Sequence, residues 1–142
     1  MNNRNKIMLL ILLLLIAGSV WYFYPQKKTI KPEEFTEQGQ TEISAGNITM
    51  KVWDNNTEDG DTIKVYFNGE IIADTLGILN TAIEYKLGRL LAGEYWIGVK
   101  AISEGMMGPA SATISLSDSK VVKEFVMDAF IDSAASWKVI VK

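Results

Sequence analysis

The chain has 142 residues and a formal net charge of −3, and it contains neither cysteine nor histidine. Without cysteine it has no disulfides, thiolate metal sites or thiol nucleophiles, and without histidine it lacks the commonest acid–base group at neutral pH. Arg4 and Lys6 precede a long apolar run, so the rest of the chain carries 12 basic and 17 acidic side chains, a balance of −5. That acidic balance argues against a nucleic-acid partner, because phosphates require a basic surface.

The N-terminal residues 1–24 have the pattern of a membrane signal. A short basic head precedes the uncharged run IMLLILLLLIAGSVWYFY, residues 7–24. As a helix these residues would be about 27 Å long, close to the hydrocarbon thickness of a bilayer. The run ends in four aromatic residues of the kind that lie at a membrane interface, namely Trp21, Tyr22, Phe23 and Tyr24.

We therefore predict one transmembrane signal-anchor helix in residues 1–24, in contact with membrane lipid. The alternative is a cleaved signal peptide, since Ala17, Gly18 and Ser19 are small enough for a cleavage site, and the protein would then be secreted. Both interpretations place the C-terminal part outside the cytoplasm, in the periplasm or the extracellular space.

Residues 25–46 have few apolar side chains, two prolines and mixed charge. This composition is typical of an extended tether, and it predicts a linker that holds the following domain away from the membrane. A short helix within residues 33–38 is compatible with the same interpretation.

From residue 47 to residue 142 the apolar residues recur with a period of two. Segments such as ITMKVWD and TIKVYFN alternate apolar and polar positions, and clusters of Gly, Asn, Asp, Ser or Pro separate them. Asn68-Gly69 is a strong signal for a tight hairpin between two strands. The pattern predicts an all-β domain, an antiparallel Ig-like β-sandwich of about seven to eight strands.

Four segments carry a family resemblance, in this order: EDGDTIKVYFNGE, LLAGEYWIGVKA, EGMMGP and ASATISLSD. Together they resemble a small Ig-like β-sandwich module of bacterial secreted and surface proteins. The likeness runs from about Val52 to Val141, and it departs from the family at GPASA, where a Pro-Asn-Thr-Ala tetrad is more usual. The resemblance implies a non-enzymatic binding or spacing domain, and it brings no catalytic residues.

The loop DNNTEDGD, residues 54–61, offers several oxygen ligands, and calcium is the cation that such ligands suit. An EF-hand register that begins at Asn55 places Gly60 correctly but puts Tyr66 where a glutamate is needed. The same residue types also form tight turns by bonding their own backbone. We favour the turn, and we predict no metal and no cofactor.

Three aromatic residues share the parity of polar neighbours on their strands, so we expect their rings to point outward: Trp53, Tyr66 and Trp96. Outward rings on a sheet provide a large contact area for a sugar or a protein at a small cost in rotamer entropy. They are our candidate ligand-binding residues. The alternative is that they only stabilise the sheet through cross-strand contacts.

The sequence thus predicts a non-enzymatic, membrane-tethered module outside the cytoplasm that interacts with a protein or a glycan. A second interpretation is an accessory structural subunit of a larger membrane or envelope complex. An enzyme is disfavoured because Asp59 and Asp61 lie in one turn, and two acids in one turn rarely flank a scissile bond from opposite sides. No motif supports a Ser-Lys dyad either.

Overall fold

The computed structural model describes residues 2–23 and 30–142, with only the backbone described for residues 20–23. Helix α1 spans Asn3–Phe23, and a short 3₁₀ turn, Pro32–Glu34, leads into nine strands. The strands are β1 (Thr36–Ile43), β2 (Gly46–Trp53), β3 (Asp61–Phe67), β4 (Glu70–Gly77), β5 (Ile83–Leu90), β6 (Gly93–Glu104), β7 (Ala110–Ser117), β8 (Val122–Ala129) and β9 (Ala135–Val141).

Helix α1 contains most of the apolar run that the sequence predicts as a membrane segment. Its ten consecutive apolar side chains from Ile7 to Ile16 are each at least half exposed. Tyr24, the last member of the aromatic cluster, lies outside the described residues. In the part of the chain that the structure describes, no helix is long and apolar enough to cross a membrane.

The strands form two sheets, which confirms the predicted β-sandwich. The five-stranded sheet has the order β1-β9-β6-β3-β4, and the four-stranded sheet has the order β5-β2-β7-β8. Every neighbouring pair is antiparallel except β1 and β9, which run parallel.

The core lies between the two sheets and follows the predicted alternation. Ile48, Met50 and Val52 of β2 are at most 1% exposed, and Ile97 and Val99 of β6 are completely buried. These side chains face one another across the sandwich because successive residues of a strand point to opposite faces.

The β3–β4 hairpin turns at Asn68-Gly69, as predicted. Both residues have positive φ angles, 50° for Asn68 and 87° for Gly69. Turns of this hand match the right-handed twist of the flanking strands, and Asn and Gly tolerate the backbone conformation better than other residues.

The structure differs from the prediction in the region assigned to the tether. Residues 24–29 lie outside the described residues, but Thr36–Ile43 form β1, so the sandwich has nine strands instead of seven or eight. The segment TEQGQTEI has a single buried side chain, Ile43, and therefore shows no apolar alternation. It is a strand because its backbone pairs with the edge of β9.

Gly39 allows β1 to lie close to the side chain of Trp137 on β9. A Cβ atom at residue 39 would be 2.5 Å from Cη2 of Trp137, which is closer than any side-chain contact allows. The Trp137 ring in turn stacks on Phe125 of β8 at a centroid distance of 4.3 Å. This stack links β8, an edge strand of the four-stranded sheet, to β9 of the five-stranded sheet.

Candidate functional site

The outer face of the five-stranded sheet carries three aromatic rings, which we call the aromatic surface: Phe35, Tyr66 and Trp96. Phe35 contacts each of the other two. The Phe35 ring meets Tyr66 edge-on at 5.4 Å between centroids, and it lies 5.1 Å from Trp96 at a tilt of 60°. Tyr66 and Trp96 come from β3 and β6, and Phe35 comes from the residue just before β1. Edge-on and tilted arrangements are the favourable ones for aromatic pairs.

Gly98 is the floor of the aromatic surface. It pairs with Tyr66 on β3 and with Ser136 on β9, at the centre of the sheet. A Cβ atom there would be 2.7 Å from the Trp96 ring and 2.9 Å from the Phe35 ring. The absence of a side chain at this position therefore lets both rings lie against the backbone.

A cleft of about 500 Å³ opens beside the aromatic surface, between β1, β6 and β9. Its aromatic wall consists of Phe35, Tyr95 and Trp96. The polar lining contains three carboxylates and one ammonium group, from Glu33, Glu37, Glu94 and Lys138. The cleft therefore combines apolar area with an excess of negative charge.

A second, smaller cleft of about 240 Å³ lies on the other side of Phe35. Phe35 and Tyr66 are its aromatic lining, and its charged groups are the Lys100 ammonium and the carboxylates of Glu34 and Asp132. Because Phe35 borders both clefts, its ring separates them on the outer face of this sheet.

The phenol of Tyr66 is enclosed by its neighbours. Its side chain is only 5% exposed, and this burial raises the pKa of the Tyr66 hydroxyl above its usual value. Lys64, two residues earlier on the same face, forms an ion pair of 2.6 Å with Asp74, and the hydrogen bond to Asp74 raises the pKa of Lys64. A neutral, rigid ring thus lies beside a neutralised charge pair.

The structure brings together two of the three predicted site residues. Tyr66 and Trp96 share the outer face of the five-stranded sheet, as expected from their parity. Trp53 lies on β2 in the four-stranded sheet, half-buried and paired with Thr113. The prediction required all three strands to lie in one sheet, and parity along a strand cannot determine which sheet the strand joins.

Phe35 is the member of the aromatic surface that sequence reasoning missed. It belongs to the segment interpreted as a tether, where no alternation identifies a strand. The one signal in the sequence was that Phe35 is the only aromatic residue between residues 25 and 46. A single aromatic residue does not identify a strand or a contact surface.

The DNNTEDGD loop connects β2 to β3 and begins with a turn of the predicted type. Oδ1 of Asp54 accepts a hydrogen bond of 2.8 Å from the backbone N–H of Asn56, and Asp54 is 2% exposed. The Glu58 carboxylate accepts a bond of 2.6 Å from the Asn80 N–H, which ties this loop to the β4–β5 connection. Asp54 and Glu58 therefore hold the backbone of the loop.

The comparisons with known proteins returned no match: no family model, no curated protein and no solved structure is significantly similar to this chain. The geometry of the described residues is therefore the basis for the functional argument.

Proposed function

We propose that this chain is a non-enzymatic, membrane-tethered module outside the cytoplasm that binds a partner through the aromatic surface and the adjacent 500 Å³ cleft. The observation that carries the proposal is the aromatic surface beside a charged cleft, with the Phe35 and Trp96 rings packed over Gly98 and Tyr66 against Phe35. Rigid aromatic side chains at the edge of a concave site are typical anchors of protein interfaces. The resemblance to bacterial Ig-like surface modules points in the same direction.

The partner that best fits this surface is a protein segment with basic side chains. Three carboxylates line the cleft against one ammonium group, and a cation is also attracted to the face of an aromatic ring. A glycan is the alternative, because sugars stack on aromatic faces. Stacking on Tyr66 is hindered, since that ring is 5% exposed and Phe35 stands edge-on against it.

The tether in this proposal is the apolar N-terminal run. Ten consecutive apolar side chains of α1 are at least half exposed, and water is a poor solvent for such a surface. The run continues in sequence to Tyr24, and its basic head and aromatic end are those of a membrane signal.

The experiment is affinity purification of the full-length protein from its own membrane, followed by measurement of the recovered partner. We expect Trp96→Ala to weaken partner binding at least about tenfold, as loss of a central aromatic anchor does. Trp53→Ala is the matched control, because it removes the same ring from the other sheet. Equal recovery with both variants would contradict the proposal, and selective recovery of glycan would replace the protein partner by a sugar.

A second candidate function is an accessory subunit whose helix packs against other membrane helices. Gly18 favours it, because among the described residues nothing outside its own stretch of helix lies within 4 Å of the position its Cβ would take, so close approach of another helix is possible there. Native sizing in mild detergent separates the two functions. The accessory subunit predicts a stable heteromeric assembly that survives Trp96→Ala but not Gly18→Leu.

A further inference from the structure

A separate cleft of about 260 Å³ lies at the end of the sandwich where the β2–β3 loop meets the β6–β7 loop. Asp59 comes from the β2–β3 loop, Asp61 is the first residue of β3, and Met107 comes from the β6–β7 loop. This cleft is distinct from the aromatic surface and plays no part in the function proposed above.

Asp61 has an unusual environment for an acidic side chain. It is only 5% exposed; its Oδ2 accepts a hydrogen bond of 3.3 Å from the Ser111 N–H, and its Oδ1 is buried without any hydrogen-bond partner. Asp59 repeats the pattern, since its Oδ2 accepts a bond of 2.9 Å from the Met107 N–H and its Oδ1 is buried and unpaired. Each of these two residues of the cleft lining therefore keeps one buried carboxylate oxygen without a hydrogen-bond partner.

The two carboxyl groups line the same cleft, separated by one residue in the chain. Both are acceptors when ionised, so they repel unless a proton or a cation lies between them. Burial raises the pKa of Asp61, and the charges of Asp59 and Asp54 raise it further. A water molecule would supply a donor to a free oxygen but would not neutralise either charge.

Although the sequence pattern alone favours a turn without a metal in this loop, the buried unpaired oxygens lead us to propose that this cleft binds a calcium ion, with Asp59 and Asp61 as the charged ligands. Calcium takes six to eight oxygen ligands in flexible geometry, and these include amide and hydroxyl oxygens as well as carboxylates. Asn56 and Thr57 line the same cleft and carry such groups. Among the described residues no three acidic side chains are grouped closely enough to hold a metal by themselves, so neutral oxygens and water must complete the shell.

The bound ion would join two loops that are distant in sequence. Asp59 already accepts a hydrogen bond from the Met107 N–H in the β6–β7 loop, and Asp61 accepts one from the Ser111 N–H at the start of β7. Neutralising the carboxylates removes the repulsion that opposes this junction. Calcium should therefore stabilise the folded domain.

The test uses the full-length protein in detergent, first freed of metal with a chelator and then titrated with calcium chloride. We expect calorimetry to detect one ion per chain. The melting temperature should rise by roughly 10 °C when calcium is about 100-fold above Kd. Asp61→Asn should abolish this rise and should melt higher than the wild type in chelator, because the amide removes a buried charge. Glu124→Gln, a change of equal charge on the exposed face of β8, should keep the full response.

Two results would overturn the proposal. One is a wild-type protein that shows no heat of binding and no change in melting temperature at 10 mM calcium. That concentration exceeds the dissociation constants of weak extracellular calcium sites. If Asp61→Asn nevertheless melts at a higher temperature than the wild type in chelator, Asp59 and Asp61 share a proton instead of binding calcium. The other is an Asp61→Asn variant that retains calcium binding.

Discussion

Gly98 and Asp118 show how single residues position the rest of this domain. Gly98 leaves the space in which the Trp96 and Phe35 rings meet the sheet. Asp118 organises the β7–β8 turn, because its Oδ1 accepts bonds of 2.9 and 2.8 Å from the N–H groups of Lys120 and Val121. Its Oδ2 accepts a bond of 3.3 Å from the Ser44 N–H, which connects that turn to the one between β1 and β2.

Adding one methyl group at residue 98 should destabilise the fold. Gly98→Ala would place a Cβ atom within 3 Å of both rings, and overpacking of this kind costs about 1–3 kcal/mol of unfolding free energy. Chemical denaturation measures the change. Gly77→Ala is the matched control, since among the described residues nothing but its two chain neighbours lies within 4 Å of its Cβ position, and we expect an effect within about 0.5 kcal/mol. Equal effects of the two variants would show that the rings do not rest on Gly98.

The turn held by Asp118 should weaken in acid. Hydrogen bonds from the backbone of Val121 and Lys120 lower the pKa of Asp118 from its usual 3.8 to about 2. A depressed carboxyl pKa stabilises the folded state above the unfolded value, and this contribution is lost as the pH falls from about 4 through about 2. The melting temperature of wild type minus that of Asp118→Asn should therefore be positive at pH 6 and shrink toward pH 2. A constant difference would contradict this role.

At the scale of elements, β1 joins the two sheets at one side of the sandwich. It pairs with β9 of its own sheet, and its Gln38 side chain reaches the backbone of Asp128 on β8 of the other sheet. The Gln38 amide donates to the Asp128 carbonyl at 2.7 Å and accepts from the Asp128 N–H at 3.0 Å. The Gln38 side chain thus makes both backbone hydrogen bonds that a neighbouring strand would make to Asp128. It covers part of β8, an edge strand whose backbone would otherwise be open to pairing.

Removal of this amide should cost about 1 kcal/mol of unfolding free energy, since two net hydrogen bonds are lost at an exposed edge where water replaces them in part. Gln38→Ala tests the expectation by urea denaturation. Gln40→Ala is the control on the same strand, because no hydrogen bond of its side chain is present in the described structure, and it should change stability by less than about 0.5 kcal/mol. Removal of residues 1–45, which include β1, should destabilise the sandwich more than Gln38→Ala, because the backbone pairing of β1 with β9 is lost as well.

At the scale of the whole molecule, an acidic sandwich follows an apolar helix, and the two parts expose surfaces of different character. The side chains from Ile7 to Ile16 are exposed, whereas the apolar side chains of the strands are mostly enclosed between the sheets. A surface of this kind is stable when lipid or a partner covers it. The domain and its N-terminal run therefore have separate roles in the proposed function.

The full-length protein should fractionate with membranes and require detergent for extraction, whereas a chain that begins at residue 30 should remain in solution. Mass measurement of the membrane-bound protein decides between anchor and signal peptide. An intact N-terminus indicates the anchor, and a chain that starts at Val20 indicates cleavage after Ser19. Replacement of Leu12 by Asp should release the uncleaved protein, because a charge at the centre of an apolar helix opposes membrane insertion.

The sequence by itself determined the class of fold and much of its core. Alternation identified the buried faces of β2 and β6, and Asn68-Gly69 identified one hairpin, because these signals arise from residues that are neighbours in the chain. The outward direction of Tyr66 and Trp96 followed from the same parity. These features depend on local geometry, which a strand carries with it into any sheet.

The tertiary structure alone decided which surfaces those strands form together. Strand β1 has no apolar pattern and exists through its pairing with β9, Phe35 reaches the aromatic surface only because β1 lies there, and Trp53 is on the other sheet. Asp59 and Asp61 resemble ordinary turn residues until the β6–β7 loop closes over them and buries their carboxylates. Partners distant in the chain create these environments, and the residues on either side in the sequence do not specify them.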